Sequence, residues 1–182
     1  MVEEAHVGER AAGGLLGDGG GATRFPEIEE LLVAHSDIPA DQVHPIPGGE
    51  GFEGERGAAA YSRALREHLG WREKGQDRLD YALLPLLDRG FTHGSARKDR
   101  ETLVGSFEED GARVTSLSAT MLNATRLIAV LGTGAELLPT VTALETLKKP
   151  KEAGEGRLHV TGLRPVGGEL RWYLDAAATQ SG

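Results

Sequence analysis

Few side chains in this sequence can do chemistry, and several of them fall in one stretch, 79–96. An apolar run, Tyr81 to Leu87, leads into a polar segment carrying Asp88, Arg89, Gly90, Thr92 and His93. An imidazole titrates near neutral pH and can take a proton from water, so His93 is a candidate general base. Its plainer reading is a solvated loop histidine. Arg113 is a candidate anion contact, because a guanidinium grips phosphate oxygens in pairs; the alternative is a strand-edge charge paired with an acid. Gly132-Thr133-Gly134 precedes an amphipathic stretch and can cradle an anion on backbone amides, or be only a turn. Glu108-Glu109-Asp110 lacks histidines at ligand spacing and reads as a solvated acidic patch rather than a metal site. The chain has no cysteine, which excludes disulfides, thiolate metal sites and thiol nucleophiles together. Nothing in the pattern asks for a cofactor.

The elements that must position these groups can be read from periodicity. Residues 1–24 are rich in Gly, Ala and Glu and read as a flexible lead-in, followed by one domain over 25–179. A helix is expected over Pro26–His35, from the helix-starting proline and the spacing of Ile28, Leu31 and Leu32. Three prolines between Asp37 and Pro47 keep that segment extended or turned. Ala58–Leu69 reads as a helix with Ala58, Tyr61, Leu65 and Leu69 on its buried stripe and Arg63, Arg66 and Glu67 facing water. Tyr81–Leu87 and Leu127–Leu131 are all-apolar runs of the kind that form buried parallel strands. Between them a loop is expected over 88–111, then a strand at Arg113–Leu117 and a helical turn at Ala119–Thr125. A helix over Ala135–Lys148 follows, with Leu137, Leu138, Val141, Leu144 and Leu147 buried. Leu158–Leu163 and Glu169–Leu174 are the last strands, with Trp172-Tyr173 read as core packing. Apolar strands alternating with amphipathic helices define an α/β layered fold with a mainly parallel sheet flanked by helices.

Composition narrows the partners. With 182 residues the chain can bury a sizeable core. A net charge of −8 disfavours binding to a phosphate backbone, so no nucleic acid partner is expected. The basic knot Lys148, Lys149 and Lys151 follows a helix, where positive charge suits the dipole. No apolar run reaches membrane-spanning length, so no membrane span is expected. The acidic start lacks a signal or transit pattern, which makes the cytoplasm the expected compartment, or an organelle if a presequence was removed.

Several fragments in sequence order resemble the 6-phosphogluconolactonase family. Ser36–His44 is similar to its "ipa.qvh" link. Gly57–Tyr61 with Leu65 is similar to its "eeaA..Y...L" helix, and Ala112–Thr115 to its "RiTlt" strand. Leu122-Asn123-Ala124 with Leu127–Leu131 resembles "lNaA..v.flv", and Leu170–Ala178 resembles "l.W.lDeaA". The resemblance covers Ser36–Ala178 and implies a Rossmann-like α/β fold. It also implies an activity, hydrolysis of 6-phosphogluconolactone to 6-phosphogluconate in the pentose phosphate pathway, by a loop histidine acting as base while cations hold the phosphate.

This sequence departs from the family where that chemistry resides. The signature Gly-x-Gly-x-Asp-Gly-His-x-Ala-Ser-Leu-Phe, laid on residues 85–96 without gaps, puts Pro85 and Leu87 at its first two glycines and Phe91 at its histidine. Gly90 and Thr92 alone keep a family-like identity. The lysine expected after the Gly-x-Gly turn is Ala135, and Arg113 alone survives of the cations. Only about two dozen residues precede the first matched helix, too few for the family's two strand–helix units, so the resemblance implies a truncated N-terminus. Gly20–Thr23 can be a relic of the phosphate loop, or Gly17-Asp18 of the Asp-Glu-Arg strand end. The expectation is a chain that has lost lactonase catalysis and serves as a binding or structural subunit, with another protein subunit covering the truncated sheet. Two rivals remain: an active lactonase using His93, Arg113 and Gly20–Thr23, and a sugar-phosphate binder using Gly132–Gly134 and Arg113.

Overall fold

The computed structural model describes residues 17–18, 25–46, 54–69, 78–96, 101–109, 112–146 and 157–180. Gly20–Thr23, Trp71, Asp110, Leu147 and the lysines at 148, 149 and 151 lie outside these residues.

Three strands form the parallel sheet that the apolar runs require: β2 (Tyr81–Pro85), β6 (Leu127–Gly132) and β8 (Glu169–Leu174), in the order β2-β6-β8. In-register neighbours share a face. Ala82, Ile128 and Leu170 form one row toward the core, and Leu84 and Val130 belong to the next; Leu84, Ile128 and Val130 are completely buried. The opposite face carries Tyr81, Leu83, Leu131 and Tyr173, all exposed. Trp172 and Tyr173 are 41% and 49% exposed, which corrects the expectation that this pair is core packing. They stand on β8, at one end of the strand order, where Leu170 and Leu174 alone pack against the core.

The core is closed by α2 (Glu55–Leu69), which buries Ala58, Tyr61 and Leu65 as its period demands. The Tyr61 hydroxyl donates to the His44 carbonyl (2.8 Å), tying the proline-rich link to that helix. The first expected helix splits into α1 (Phe25–Leu31) and a single 3-10 turn, Val33–His35. Further on, α3 (Ala119–Ala124) is capped by Ser118, whose hydroxyl accepts from the Met121 N–H. The helix expected over 135–148 begins as a 3-10 turn, Ala135–Leu137, and continues as α4 (Leu138–Thr146). Its buried stripe holds Leu137 and Val141, with Leu144 partly buried.

Two antiparallel sheets accompany the parallel one. β5 (Ala112–Leu117) lies between β4 (Val104–Glu109) and β1 (Gly17–Asp18), with Gly17 opposite Thr115. β3 (Phe91–Ser95) pairs with β7 (Arg157–His159). The loop expected over 88–111 therefore contains two strands. The strand expected over 158–163 is shorter, because Val160–Gly162 turns as a 3-10 segment.

Candidate functional site

The carboxyl ends of β2 and β6 lie side by side, the place where open parallel sheets hold ligands. At this end β2 stops at Pro85, and the chain makes one 3-10 turn, Asp88–Gly90, before β3. The turn is tightly specified. Arg89 adopts a left-handed conformation (φ 55°, ψ 15°) and Gly90 follows at φ 80°. A Cβ on Gly90 would lie 2.6 Å from His159 Nε2, so glycine is required there for both conformation and space.

Nearly all the backbone donors of this loop are engaged within the protein. Pro85 has no N–H. Leu86 N–H donates to the Leu131 carbonyl (2.6 Å), Leu87 N–H to Phe91 (2.9 Å), and Gly90 N–H to Leu87 (3.3 Å). Phe91 N–H closes onto Asp88, and Arg89 N–H donates to Thr140 Oγ1 (3.1 Å). The Thr92 hydroxyl donates to the Pro85 carbonyl (2.6 Å) and so braces the strand end. Glycine-rich phosphate loops work by leaving successive amides open to an anion; here those amides are taken by acceptors in the loop, in β6 and in α4.

His159 is the imidazole at the centre of this arrangement. It is buried, and its Nδ1 accepts from Thr161 N–H (3.2 Å), which leaves the Nε2 hydrogen to donate to the Arg89 carbonyl (3.1 Å). Thr161 Oγ1 also lies 2.7 Å from Nδ1. Nε2 thus links β7 to the turn, while Nδ1 is held by Thr161 in the 3-10 segment that follows β7. Phe91, at the position of the family base, presents its ring to His159 at 80° and 5.5 Å, and the Arg157 guanidinium sits 5.5 Å from the Phe91 ring centre. A phenyl ring has no lone pair with which to accept a proton.

His93 is buried in β3, so its plainer reading as a solvated loop residue is corrected. Arg113 is exposed on β5, in a different sheet, with its stem against Gly54. Gly132 ends β6 among Leu86, Leu137 and Leu174. Gly134 has φ 96° and gives its N–H to both carboxylate oxygens of Asp175 (3.0 and 3.2 Å). The same carboxylate caps α5 (Ala176–Thr179) through Ala178 N–H (2.8 Å). An anion does sit on the Gly132–Gly134 turn, and it is the chain's own Asp175. The structure thus brings together Gly90 and Thr92 at the β2 end, with Gly132 and Gly134 at the adjacent β6 end, and places Arg113 on another sheet.

Sequence reasoning named Arg89 without a role of its own and passed over Arg157 and His159. His159 sits in a run read only as a strand, and Arg157 immediately precedes it. Asp175 carried a legible signal, since an Asp three residues before a helical N–H is a capping pattern. Among the described residues there is no cluster of three or more potential metal ligands, and no helix long and apolar enough to cross a membrane.

No family model and no curated protein matches the sequence. The fold does match solved structures. It is similar to the devB protein at 25% identity and a TM-score of 0.68, over 86% of this chain and 65% of that one. It is similar to 6-phosphogluconolactonase from Trypanosoma cruzi at 18% identity and a TM-score of 0.65, with the same two coverages. The Trypanosoma brucei enzyme gives 22% identity and a TM-score of 0.65, over 86% of this chain and 66% of that one. The protein has a 6-phosphogluconolactonase-like α/β fold, and it spans about two thirds of the length of these structures.

Proposed function

We propose that the protein is a 6-phosphogluconolactonase-like chain that has lost lactone hydrolysis and acts as a non-catalytic binding or structural subunit. The observation that carries this reading is the closed loop at 85–91. Phe91 stands at the base position, and the loop amides and the Gly134 N–H are bonded to the protein's own carbonyls, hydroxyl and carboxylate. General-base catalysis needs a proton acceptor within reach of the attacking water, and phosphate binding needs open donors.

A partner fits the exposed sheet face. Parallel sheets are normally covered on both faces, whereas Tyr81, Leu83, Leu131 and Tyr173 are between 38% and 51% exposed. We assign this face to another protein subunit. The test is hydrolysis of 6-phosphogluconolactone by the purified chain. The expected rate equals spontaneous hydrolysis; acceleration that disappears in His93→Ala would refute the reading and establish an active lactonase with His93 as base. Native mass spectrometry tests the partner, and a strictly monomeric chain that co-purifies with nothing would count against it.

A further inference from the structure

The parallel sheet has two edges, and the chain guards only one of them. An edge strand offers a row of unpaired main-chain groups, which natural sheets blunt with proline, lysine, a bulge or a covering element. β2 is blunted where it ends: Pro85 has no N–H, and its carbonyl accepts from the Thr92 hydroxyl (2.6 Å). β8 carries none of these devices. Its sequence, Glu169–Leu174, has no proline, lysine or glycine, and it pairs with β6 in unbroken register along its length. Glu169 and Asp175 donate their N–H groups to the carbonyls of Arg126 and Gly132 (2.8 and 3.1 Å), so by alternation the main-chain groups of Leu170, Trp172 and Leu174 point away from β6. No described strand meets them there. Between them stand Arg171, Trp172 and Tyr173, all exposed. Arginine, tryptophan and tyrosine are the residue types that dominate association energies, and a chain with two tryptophans and three tyrosines sets one of each here. Glu169 holds the Arg171 guanidinium (2.6 and 2.9 Å), so covering this edge buries no unpaired charge.

We propose that β8 is a self-association edge, pairing antiparallel with β8 of a second copy of this chain about a two-fold axis at Trp172. A two-fold contact must complement itself, and this edge does. In that register Leu170 lies opposite Leu174 of the second copy, Arg171 opposite Tyr173 of the second copy, and Trp172 opposite its counterpart. The outward groups of Leu170, Trp172 and Leu174 then exchange about six main-chain hydrogen bonds. Aromatic pairs and a guanidinium facing an aromatic ring stabilise strands when they lie directly opposite. The register centred on Arg171 sets guanidinium against guanidinium and is disfavoured. The register centred on Leu170 runs the pairing into the turn at Gly167 (φ 70°). The product is one continuous sheet in the order β2-β6-β8-β8-β6-β2. This contact uses the strand edge, not the sheet face assigned above to another subunit, and it does not depend on whether lactone is turned over.

The test is sedimentation velocity of the full chain from about 1 to about 200 μM, with amide exchange followed at both ends of that range. Wild type should pass from monomer to dimer. Exchange at Leu170, Trp172 and Leu174 should slow at high concentration, whereas Tyr173, whose N–H faces β6, should not change. Trp172→Lys sets ammonium against ammonium at the axis and should weaken the dimer at least about tenfold, with the far-ultraviolet spectrum unchanged. Leu83→Lys, on the exposed face of the opposite edge strand β2, should leave the dissociation constant within about twofold. A wild type that stays monomeric across the range overturns the proposal. Loss of the dimer in Leu83→Lys would overturn it as well and move the contact to the sheet face. If Trp172→Lys does not fold, the wild-type exchange pattern decides: a dimer without slower exchange at Leu170, Trp172 and Leu174 does not use this edge.

Discussion

Replacing Asp175 by alanine removes two interactions at once, and their sizes can be set from the structure. Its Oδ1 accepts the Ala178 N–H at 2.8 Å and so caps α5, a contribution of about 1 kcal/mol. The carboxylate also receives Gly134 N–H at 3.0 and 3.2 Å. A charge-assisted bond of this type contributes about 1.5 kcal/mol, less where water reaches it, as at this exposed residue. The two together come to roughly 2 kcal/mol, and for a chain of this size each kilocalorie moves Tm by about 2–4 °C. Asp175→Ala is therefore expected to melt about 4–8 °C below wild type. Asp175→Asn keeps one acceptor oxygen of equal capping rank and loses the charge and the second acceptor, so about half that drop is expected. The melt should be repeated in phosphate at matched ionic strength. Removing the internal carboxylate opens the Gly134 amide, and phosphate should then recover more of the alanine variant's loss than it adds to wild type. An Asp175→Ala melting point within 1 °C of wild type would refute the claim that this carboxylate ties the Gly132–Gly134 turn to the C-terminal helix.

Three further outcomes are expected. Gly90→Ala places a Cβ 2.6 Å from the His159 ring at a positive φ, and should cost about 2–3 kcal/mol in urea unfolding; a loss under about 0.5 kcal/mol would mean the turn relaxes freely. Burial pushes the Tyr61 hydroxyl above its ordinary pKa of 10.0, so the native state keeps its proton after the unfolded chain has lost it. The unfolded state then binds fewer protons, and stability, complete below about pH 10, should fall as pH rises through the native value. Tyr61→Phe should flatten that alkaline limb, and an unchanged limb in urea melts at pH 9 to 11 would contradict the assignment. Finally, Phe91→His should not create lactonase activity, because the loop amides remain bonded internally and Pro85 still lacks one. Hydrolysis faster than the spontaneous rate in that variant would show that the base alone was missing.

The fold was legible wherever burial follows sequence period. Tyr81–Pro85, Leu127–Gly132 and Glu169–Leu174 stand as strands close to the expected bounds, and Ala58, Tyr61 and Leu65 form the expected stripe. Legibility ended where pairing depends on a distant chain. Phe91–Ser95 carries Gly and His and has no apolar alternation, so only its partner Arg157–His159 makes it a strand. Trp172 and Tyr173 failed for a related reason. Alternation shows which residues share a face, but not how far a layer extends over it: on the edge strand β8, Leu170 and Leu174 reach the core while Trp172, on the same face, and Tyr173, on the other, stay exposed.

The candidate site divides along the same line. Side-chain losses can be read directly, since Phe91 and Pro85 occupy positions where the family pattern calls for a base and a glycine. The fate of the backbone donors cannot, because an N–H looks the same in every sequence and its availability is set by what folds against it. Thr140, fifty-one residues from Arg89, takes that residue's amide. Asp175 occupies the Gly134 amide from forty-one residues away. His159 reaches back seventy residues to the Arg89 carbonyl. Two of these contacts, through Thr140 and His159, hold the Arg89 backbone in its left-handed conformation. Engaging the amides and fixing the turn are thus two consequences of one packing arrangement, and Gly90→Ala, which drives a Cβ into the His159 ring, should loosen both together.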